Sequence, residues 1–207
     1  MKLEVFNIQG EKTGRSIELP ADIFGIEPNE HAVYLAVKAY LAAQRQGTHS
    51  ATEKGDIAGS TRKIKKQKGT GTARAGSIKS GTIRGGGRMF GPRPRDYRQK
   101  LNKKVSRLAR KSALSDKAAN GGLMIVEDFS FDAPQTKSFT KILSGLGIQG
   151  KKSLFVTADY EREVYLSARN VQKVNVAAAS DINTYQIMNA GTIILSEGSI
   201  EKIKATF

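Results

Sequence analysis

The stretch SLFVTADYEREVYLSARNVQKVNVAAA, from Ser153 to Ala179, decides the fold, because it alternates strand, helix and strand patterns. SLFVTAD and KVNVAAA are short apolar runs, which are typical of buried strands. The segment between them, Glu161 to Asn170, has acidic residues in its first turn, as helices prefer. Two strands joined by such a helix run parallel, so this unit predicts a parallel sheet.

The same alternation continues on both sides of this unit. The other predicted strands are 3–7, 123–129 and 192–198, and Ile17–Leu19 either pairs or leads inward. Shorter helices are predicted at 136–146 and 185–189, and the residues from Ile200 onward form a tail. We therefore predict an α/β fold, a three-layer domain in which helices cover both faces of a mostly parallel sheet.

Two longer helices are predicted at 31–44 and 101–119, with Asn29 as a plausible N-cap of the first. In the first helix, one face carries large apolar residues that we expect to pack against the sheet: Val33, Val37, Tyr40 and Leu41. In the second helix, one side is apolar and another is basic; the apolar side comprises Leu101, Val105 and Leu108.

The segment between these helices is rich in glycine and poor in apolar residues. It contains eleven glycines between Gly47 and Gly91, and only seven large apolar residues between Gly47 and Tyr97. So little apolar surface does not offset the entropy of ordering the chain. We predict a globular domain of residues 1–45 and 98–207, and an extended loop of residues 46–97, here called the arm, inserted after the first helix and mobile when free.

The net charge of +15 is concentrated in one part of the chain. Arg45 to Lys111 contains 20 Lys and Arg against three acids, whereas the remainder has 14 basic and 16 acidic residues. Surface charge that served solubility alone would be spread, so this segregation indicates a polyanionic partner. Nucleic acid is the first candidate and an anionic membrane surface is the second. A membrane-surface or DNA-binding protein is the weakest function hypothesis, because the arm has no apolar stripe to insert.

RNA is the partner that the residue types in the arm favour. Cations bind phosphates, glycines allow close backbone approach, and Phe90 and Tyr97 offer faces for unstacked bases, although both could instead pin the base of the arm. The predicted contacts are Arg45, Arg62, Lys63, Lys65, Lys66, Lys68, Arg74, Lys79, Arg84, Arg88, Phe90, Arg93, Arg95, Tyr97, Arg98, Lys100, Lys103, Lys104 and Arg107.

Enzymatic and metal-binding interpretations find little support. With two histidines and no cysteine, neither a metal site nor a catalytic triad has convincing residues, and we expect no cofactor. GLGIQGKK, at 145–152, leads from helix into strand, the reverse of a phosphate loop, and is predicted to be a helix end followed by a turn. No signal peptide or membrane-length apolar run is present, which predicts a cytoplasmic protein that does not bind membranes.

Three segments carry a family resemblance: QKGTGTARAGSIKSG, GGGRMFGPRPRDYRQKLNKK and the later SARNV…VNV. The chain resembles the bacterial L4 family of large-subunit ribosomal proteins over essentially its whole length. The resemblance implies a protein that supports subunit assembly and whose arm threads into ribosomal RNA, and we expect no homo-oligomer. It also implies that the arm tip lines the nascent-peptide exit tunnel opposite ribosomal protein L22. By position, the tip is Gln67, Lys68, Gly69, Thr70, Gly71, Thr72, Ala73 and Arg74.

The tip also departs from the family's common pattern, KPWRQKGTGRAR, where this chain has KIKKQKGTGTAR. Ile64 replaces proline, Lys65 replaces tryptophan and Thr72 replaces arginine, so contacts at Lys65 and Thr72 are the least secure part of the comparison. A nucleotide-binding α/β enzyme with a basic arm is the alternative function.

Overall fold

The computed structural model describes all residues, 1–207, and contains six strands and seven helices. In chain order these are β1 (Lys2–Phe6), β2 (Lys12–Glu18), α1 (Ala21–Phe24), α2 (Glu30–Ala43), α3 (Lys103–Ala119), β3 (Leu123–Val126), α4 (Thr136–Gly145), β4 (Ser153–Thr157), α5 (Arg162–Ala168), β5 (Val174–Ala178), α6 (Thr184–Asn189), β6 (Thr192–Ser196) and α7 (Ser199–Thr206). The chain divides into two units, one of residues 1–41 and 100–207 and the other of residues 42–99.

All six strands form one sheet in the first unit, in the order β2-β1-β3-β6-β4-β5. Neighbouring strands are parallel except β1 and β2, which form an antiparallel pair at one edge. Ile17 of β2 lies opposite Leu3 of β1, so the short apolar run near residue 18 does pair. The prediction of a mostly parallel α/β sheet is confirmed.

The central strands of the sheet, β3, β6 and β4, are buried on both faces, because their side chains alternate in direction and helices cover both sides. In β6, Ile193 and Leu195 join a core that includes Leu114 of α3, whereas Ile194 joins the opposite core with Phe139 of α4. All five side chains are almost completely buried. Helices therefore cover both faces, and the three-layer architecture follows from the two-residue period of the strands.

The apolar face predicted for residues 31–44 is confirmed only in part, because Val33 is half-buried and packs against the main core. Ala32 and Ala36 are the buried residues of α2, and they pack against Ala109 of α3, whereas Leu41 is exposed. Small side chains let two helix backbones approach closely, so the alanines make the contact. Asn29 does cap this helix, because its side-chain oxygen accepts a hydrogen bond from the Ala32 N–H at 2.9 Å.

The same helix pair corrects the apolar side predicted for 101–119. Leu101 and Val105 pack beside Ala109, but Leu108 is exposed. The face of α3 that is most deeply buried instead carries small residues and Leu114. Leu108 therefore lies on the solvent side of a helix whose buried stripe is shifted by one position.

Two helices were absent from the sequence-based expectation. The residues from Ile200 onward form α7 rather than a tail, because Ile200 and Ile203 are three residues apart and both are buried in the core. A single turn, α1, precedes α2 and buries Ile23 and Phe24. The basic segment accordingly follows the second helix and not the first. No helix is both long enough and apolar enough to cross a bilayer.

Candidate nucleic-acid interface

The residues predicted to contact RNA are almost all accessible to solvent. Lys79 and Tyr97 are half-buried, and every other predicted contact residue from Arg45 to Arg107 is exposed. No helix or strand lies between Ala43 and Lys103, so the side chains from Arg45 to Lys100 project from irregular backbone, whereas the last three lie on α3. Exposed cations on a glycine-rich backbone can approach phosphates without rearranging a core.

Backbone hydrogen bonds join the outgoing and returning branches of the arm. The Arg95 N–H donates to the Gly47 carbonyl at 3.1 Å, and near the tip the Ile64 N–H donates to the Gly76 carbonyl at 3.0 Å. The returning branch also folds on itself, where the Gly87 N–H donates to the carbonyl of Lys79 at 3.0 Å. These sparse bonds define the path of the arm without building a sheet.

One ion pair crosses between the branches. Both oxygens of Glu53 accept from the Arg93 guanidinium, one from Nε and the other from a terminal nitrogen at 2.6 Å. Hydrogen bonding to Arg93 lowers the pKa of Glu53 and raises the pKa of Arg93. Arg93, which was predicted to contact phosphate, thus has its charge neutralised within the arm.

Tyr97 is also engaged by neighbouring cations. The guanidinium carbons of Arg45 and Arg95 lie 3.8 and 4.5 Å from the centre of the Tyr97 ring. A hydrogen bond with Arg95 is the main cause that lowers the pKa of the Tyr97 hydroxyl, and the charge of Arg45 adds to it. This geometry favours the second of the two roles considered for Tyr97, in which the ring holds the base of the arm together.

The predicted tip is open on all sides. Gly69 and Gly71 have positive φ angles of 82° and 62°, and no atom would lie within 4 Å of a Cβ added to either. The two glycines therefore make the turn through left-handed backbone conformation, which costs glycine little. Lys68 and Arg74 are exposed on either side of this turn.

The basic face of α3 lies in the first unit. Lys103, Lys104 and Arg107 are exposed there, whereas Arg110 and Lys111 lie over the ring of Phe207, at 4.9 and 5.8 Å from its centre. Burial lowers the pKa of Arg110, and the charge of Arg107 adds to the effect. The exposed cations of α3 are thus those nearer its N-terminus.

The carboxyl edge of the sheet argues against the nucleotide-binding alternative. In open α/β folds, ligands bind at this edge. Here it carries carboxylates, and Arg15 pairs with both Glu127 and Glu197. Burial raises the pKa of Glu161, and the charge of Asp128 contributes to the rise. An edge lined by carboxylates repels a nucleotide phosphate, and GLGIQGKK forms the end of α4 and the following turn, as predicted.

Sequence reasoning missed two members of the interface. Glu53 had been counted only as one of three acids in a basic segment, and nothing in the linear sequence assigns it to Arg93, 40 residues away. Lys54 was also left out, although it is exposed and lines the same recess as Arg88 and Phe90. Its position in the basic segment was the signal that could have identified it.

Comparison with known proteins gives one consistent result. The sequence profile of the family described as "Ribosomal protein L4/L1 family" matches residues 17–206. The chain is 59% identical over 205 residues to large ribosomal subunit protein uL4 of Christiangramia forsetii, covering 99% of each chain. It is 58% identical over 204 residues to the Flavobacterium psychrophilum protein of the same name, covering 99% of this chain and 98% of the relative. With uL4 of Parabacteroides distasonis, identity is 54% over 207 residues, covering 100% and 99%.

Proposed function

The chain belongs to the ribosomal protein L4/L1 family, and on this premise we propose that it is a structural constituent of the large ribosomal subunit that binds ribosomal RNA through the arm. It assembles with neighbouring ribosomal proteins and works in the cytoplasm as part of that subunit. The names of its relatives are those of ribosomal proteins, so the interpretation of the chain as non-enzymatic is confirmed.

The main evidence for RNA binding is that almost all the cations of the arm lack a carboxylate partner within the protein. Among the arm cations predicted to contact RNA, Arg93 alone forms a salt bridge with a protein carboxylate. Unpaired cations on mobile side chains hold counterions, and RNA phosphates displace those counterions on binding. The binding free energy gained by releasing these counterions depends strongly on salt concentration, and it requires no pocket and no catalytic group.

The finer part of the proposal concerns the arm tip. By resemblance to the family, residues Gln67 to Arg74 line the nascent-peptide exit tunnel opposite ribosomal protein L22, and the nascent peptide passes beside them. An arm branch of about 25 residues spans at most ~80 Å at roughly 3.3 Å per residue, which is sufficient reach for this role. The open, left-handed turn at Gly69 and Gly71 supports it, because a narrow tip displaces little volume.

Co-sedimentation tests the proposal directly. The full chain is expected to sediment with large ribosomal subunits and to stay bound through a moderate salt wash. A matched protein that lacks residues 50–94 is expected to be released at lower salt, because it has lost most of the arm's cations. If the full chain does not co-sediment with any ribosomal particle, the ribosomal role is contradicted. Equal retention of both proteins would contradict the role of the arm.

A further inference from the structure

Three residues of the returning branch, Met89, Phe90 and Gly91, are extruded from the paired part of the arm. The Ala51 N–H donates to the Pro92 carbonyl at 2.9 Å, and the next carbonyl along, that of Thr52, accepts from the Arg88 N–H at 3.0 Å. Between these two hydrogen bonds the outgoing branch advances by one residue, from 51 to 52, whereas the returning branch advances by four, from 88 to 92. The three additional residues have no partner opposite them and form a bulge.

Two contacts hold the end of this bulge that leads into Pro92. The Glu53–Arg93 ion pair closes the side next to Pro92. At Gly91 the branches come so close that an added Cβ would lie 2.5 Å from the Ala51 Cβ, so only glycine fits without displacing the outgoing branch. The bulge is therefore set by contacts within the arm and needs no RNA to specify it.

Phe90 lies at the centre of the bulge and is fully exposed. Its φ angle is +53°, in the left-handed region that residues other than glycine rarely occupy. Backbone strain of this kind persists where the surroundings impose it, and it is enriched at ligand-binding positions. Phe90 therefore combines a strained backbone with a fully exposed ring, and the ring gains no packing free energy from the fold itself.

We infer that the Met89–Gly91 bulge is a binding site for a single unpaired RNA base, which stacks on the ring of Phe90. A base presents a flat π-face of the kind that stacks on aromatic side chains in single-stranded RNA recognition. The recess beside Phe90 is lined by Lys54, Arg88 and the Glu53–Arg93 ion pair. Because Arg93 already pairs with Glu53, Lys54 and Arg88 are the two cations that bind the phosphates on either side of that base. The inference rests on the proposed RNA-binding function and identifies what this part of the arm recognises.

The other aromatic candidate in the arm does not meet these conditions. Tyr97 is half-buried and already contacts two guanidinium groups, so a base would have to displace Arg45 or Arg95 to reach its ring. Phe90 has no aromatic or cationic neighbour over its ring. The two aromatic residues, which the sequence does not distinguish, thus differ in their availability.

Tryptophan fluorescence tests the inference, because the chain contains no tryptophan. In the full-length protein, Phe90→Trp introduces a single reporter on the bulge. A short single-stranded RNA is expected to quench its emission, and the same RNA annealed to its complement is expected to quench it much less. Tyr160→Trp, at an exposed position in the other unit, controls for quenching that does not depend on the site.

Affinity measurements provide the second readout. Phe90→Ala is expected to weaken single-stranded RNA binding about 5- to 150-fold, the loss of about 1–3 kcal/mol of stacking, with an unchanged salt slope. Phe90→Tyr is expected to keep the wild-type affinity, because tyrosine retains an aromatic ring.

The inference is overturned if RNA leaves the Phe90→Trp emission unchanged, or if Phe90→Ala binds RNA with the affinity of the wild type. The inference is also overturned if ribosomal proteins, added without RNA, shift the Phe90→Trp emission to shorter wavelength. That result would assign the bulge to a protein partner. Failure of the wild-type protein to bind any RNA would instead overturn the proposed function.

Discussion

The Lys65 side chain donates a hydrogen bond to the Thr72 hydroxyl across the arm tip, with 2.9 Å between Nζ and Oγ1. These are two of the four positions at which this segment departs from the family pattern KPWRQKGTGRAR, the others being Ile64 and Lys66. The two departures are therefore in contact. They also conserve charge, because Lys63 to Arg74 carries five cations here, as that pattern does. The cation that the pattern has at position 72 is supplied in this chain from position 65.

Returning the family residue to position 72 is expected to add a cation. Thr72→Arg removes the hydrogen bond acceptor and adds a guanidinium at an exposed site, so the slope of log affinity against log salt should steepen by about 0.7 to 0.9 if the new charge contacts phosphate. Thr72→Val is the control, since it removes the acceptor and adds no charge. RNA titrations at several salt concentrations measure both slopes. Equal slopes for Thr72→Arg and wild type would show that this position faces away from RNA.

The arginines of the arm should separate into two classes. Arg84→Gln is expected to flatten the salt slope by about 0.7 to 0.9, because Arg84 is exposed and forms no ion pair. Arg93→Gln should leave the slope nearly unchanged, since Glu53 already neutralises that charge. Glu53→Gln frees Arg93 and should steepen the slope. If Arg93→Gln flattens the salt slope as much as Arg84→Gln does, RNA phosphate must displace Glu53 from Arg93.

Acidification should release the same ion pair. The pKa of Glu53 is lowered by Arg93, so the pair contributes at pH values above the ordinary pKa of a glutamate and is lost as pH falls through the lowered value. In wild-type protein, the Arg93 side-chain NMR signals are expected to shift in that range. The Glu53→Gln protein should show no such transition. An identical transition in both proteins would show that another group is responsible.

The globular unit should fold without the arm. Every residue of the three apolar clusters lies outside residues 44–99, and loop-closure cost changes slowly with length. Deleting residues 50–94 is therefore expected to leave a cooperative thermal unfolding transition. Loss of that transition, observed by circular dichroism, would mean that the arm contributes to the core.

The C-terminal helix should contribute to stability. Ile203→Ala removes a side chain that is 1% exposed and is expected to reduce the free energy of unfolding by about 2–5 kcal/mol. Lys204→Ala, at the neighbouring exposed position, should change it by no more than about 0.5 kcal/mol. Urea unfolding compares the two variants. Similar midpoints for both would show that α7 is detached in solution.

Charge reversal at the tip tests the proposal that the tip lines the exit tunnel. Lys68→Glu is expected to give ribosomes that assemble and translate but show altered macrolide sensitivity or altered nascent-chain stalling, because the remaining cations still hold the arm. Lys141→Glu, on the exposed side of α4, should have neither effect. If a crosslinker at Lys68 captures RNA and never a nascent peptide, the tip lies elsewhere.

Local patterns in the sequence determined the fold class and the segment in which the basic residues are concentrated. Strands β3, β4 and β6 are short runs rich in Val, Ile and Leu, and such a run has few alternatives to a doubly covered parallel strand. The family resemblance rests equally on linear motifs. The concentration of basic residues in one segment could also be predicted from the sequence, because it depends on composition and not on which residues are in contact.

The tertiary structure alone decided which residues meet over long sequence separations. The strand order β2-β1-β3-β6-β4-β5, the packing of Ala32 on Ala109, and the burial of Ile203 all depend on contacts between distant segments. The same is true of the arm, where Glu53 meets Arg93 and the Phe90 bulge arises from pairing with Ala51 and Thr52. Periodicity reports which face of an element is apolar, but the free energy of a contact depends on the shape and charge of the partner. That partner becomes known only when the chain has folded.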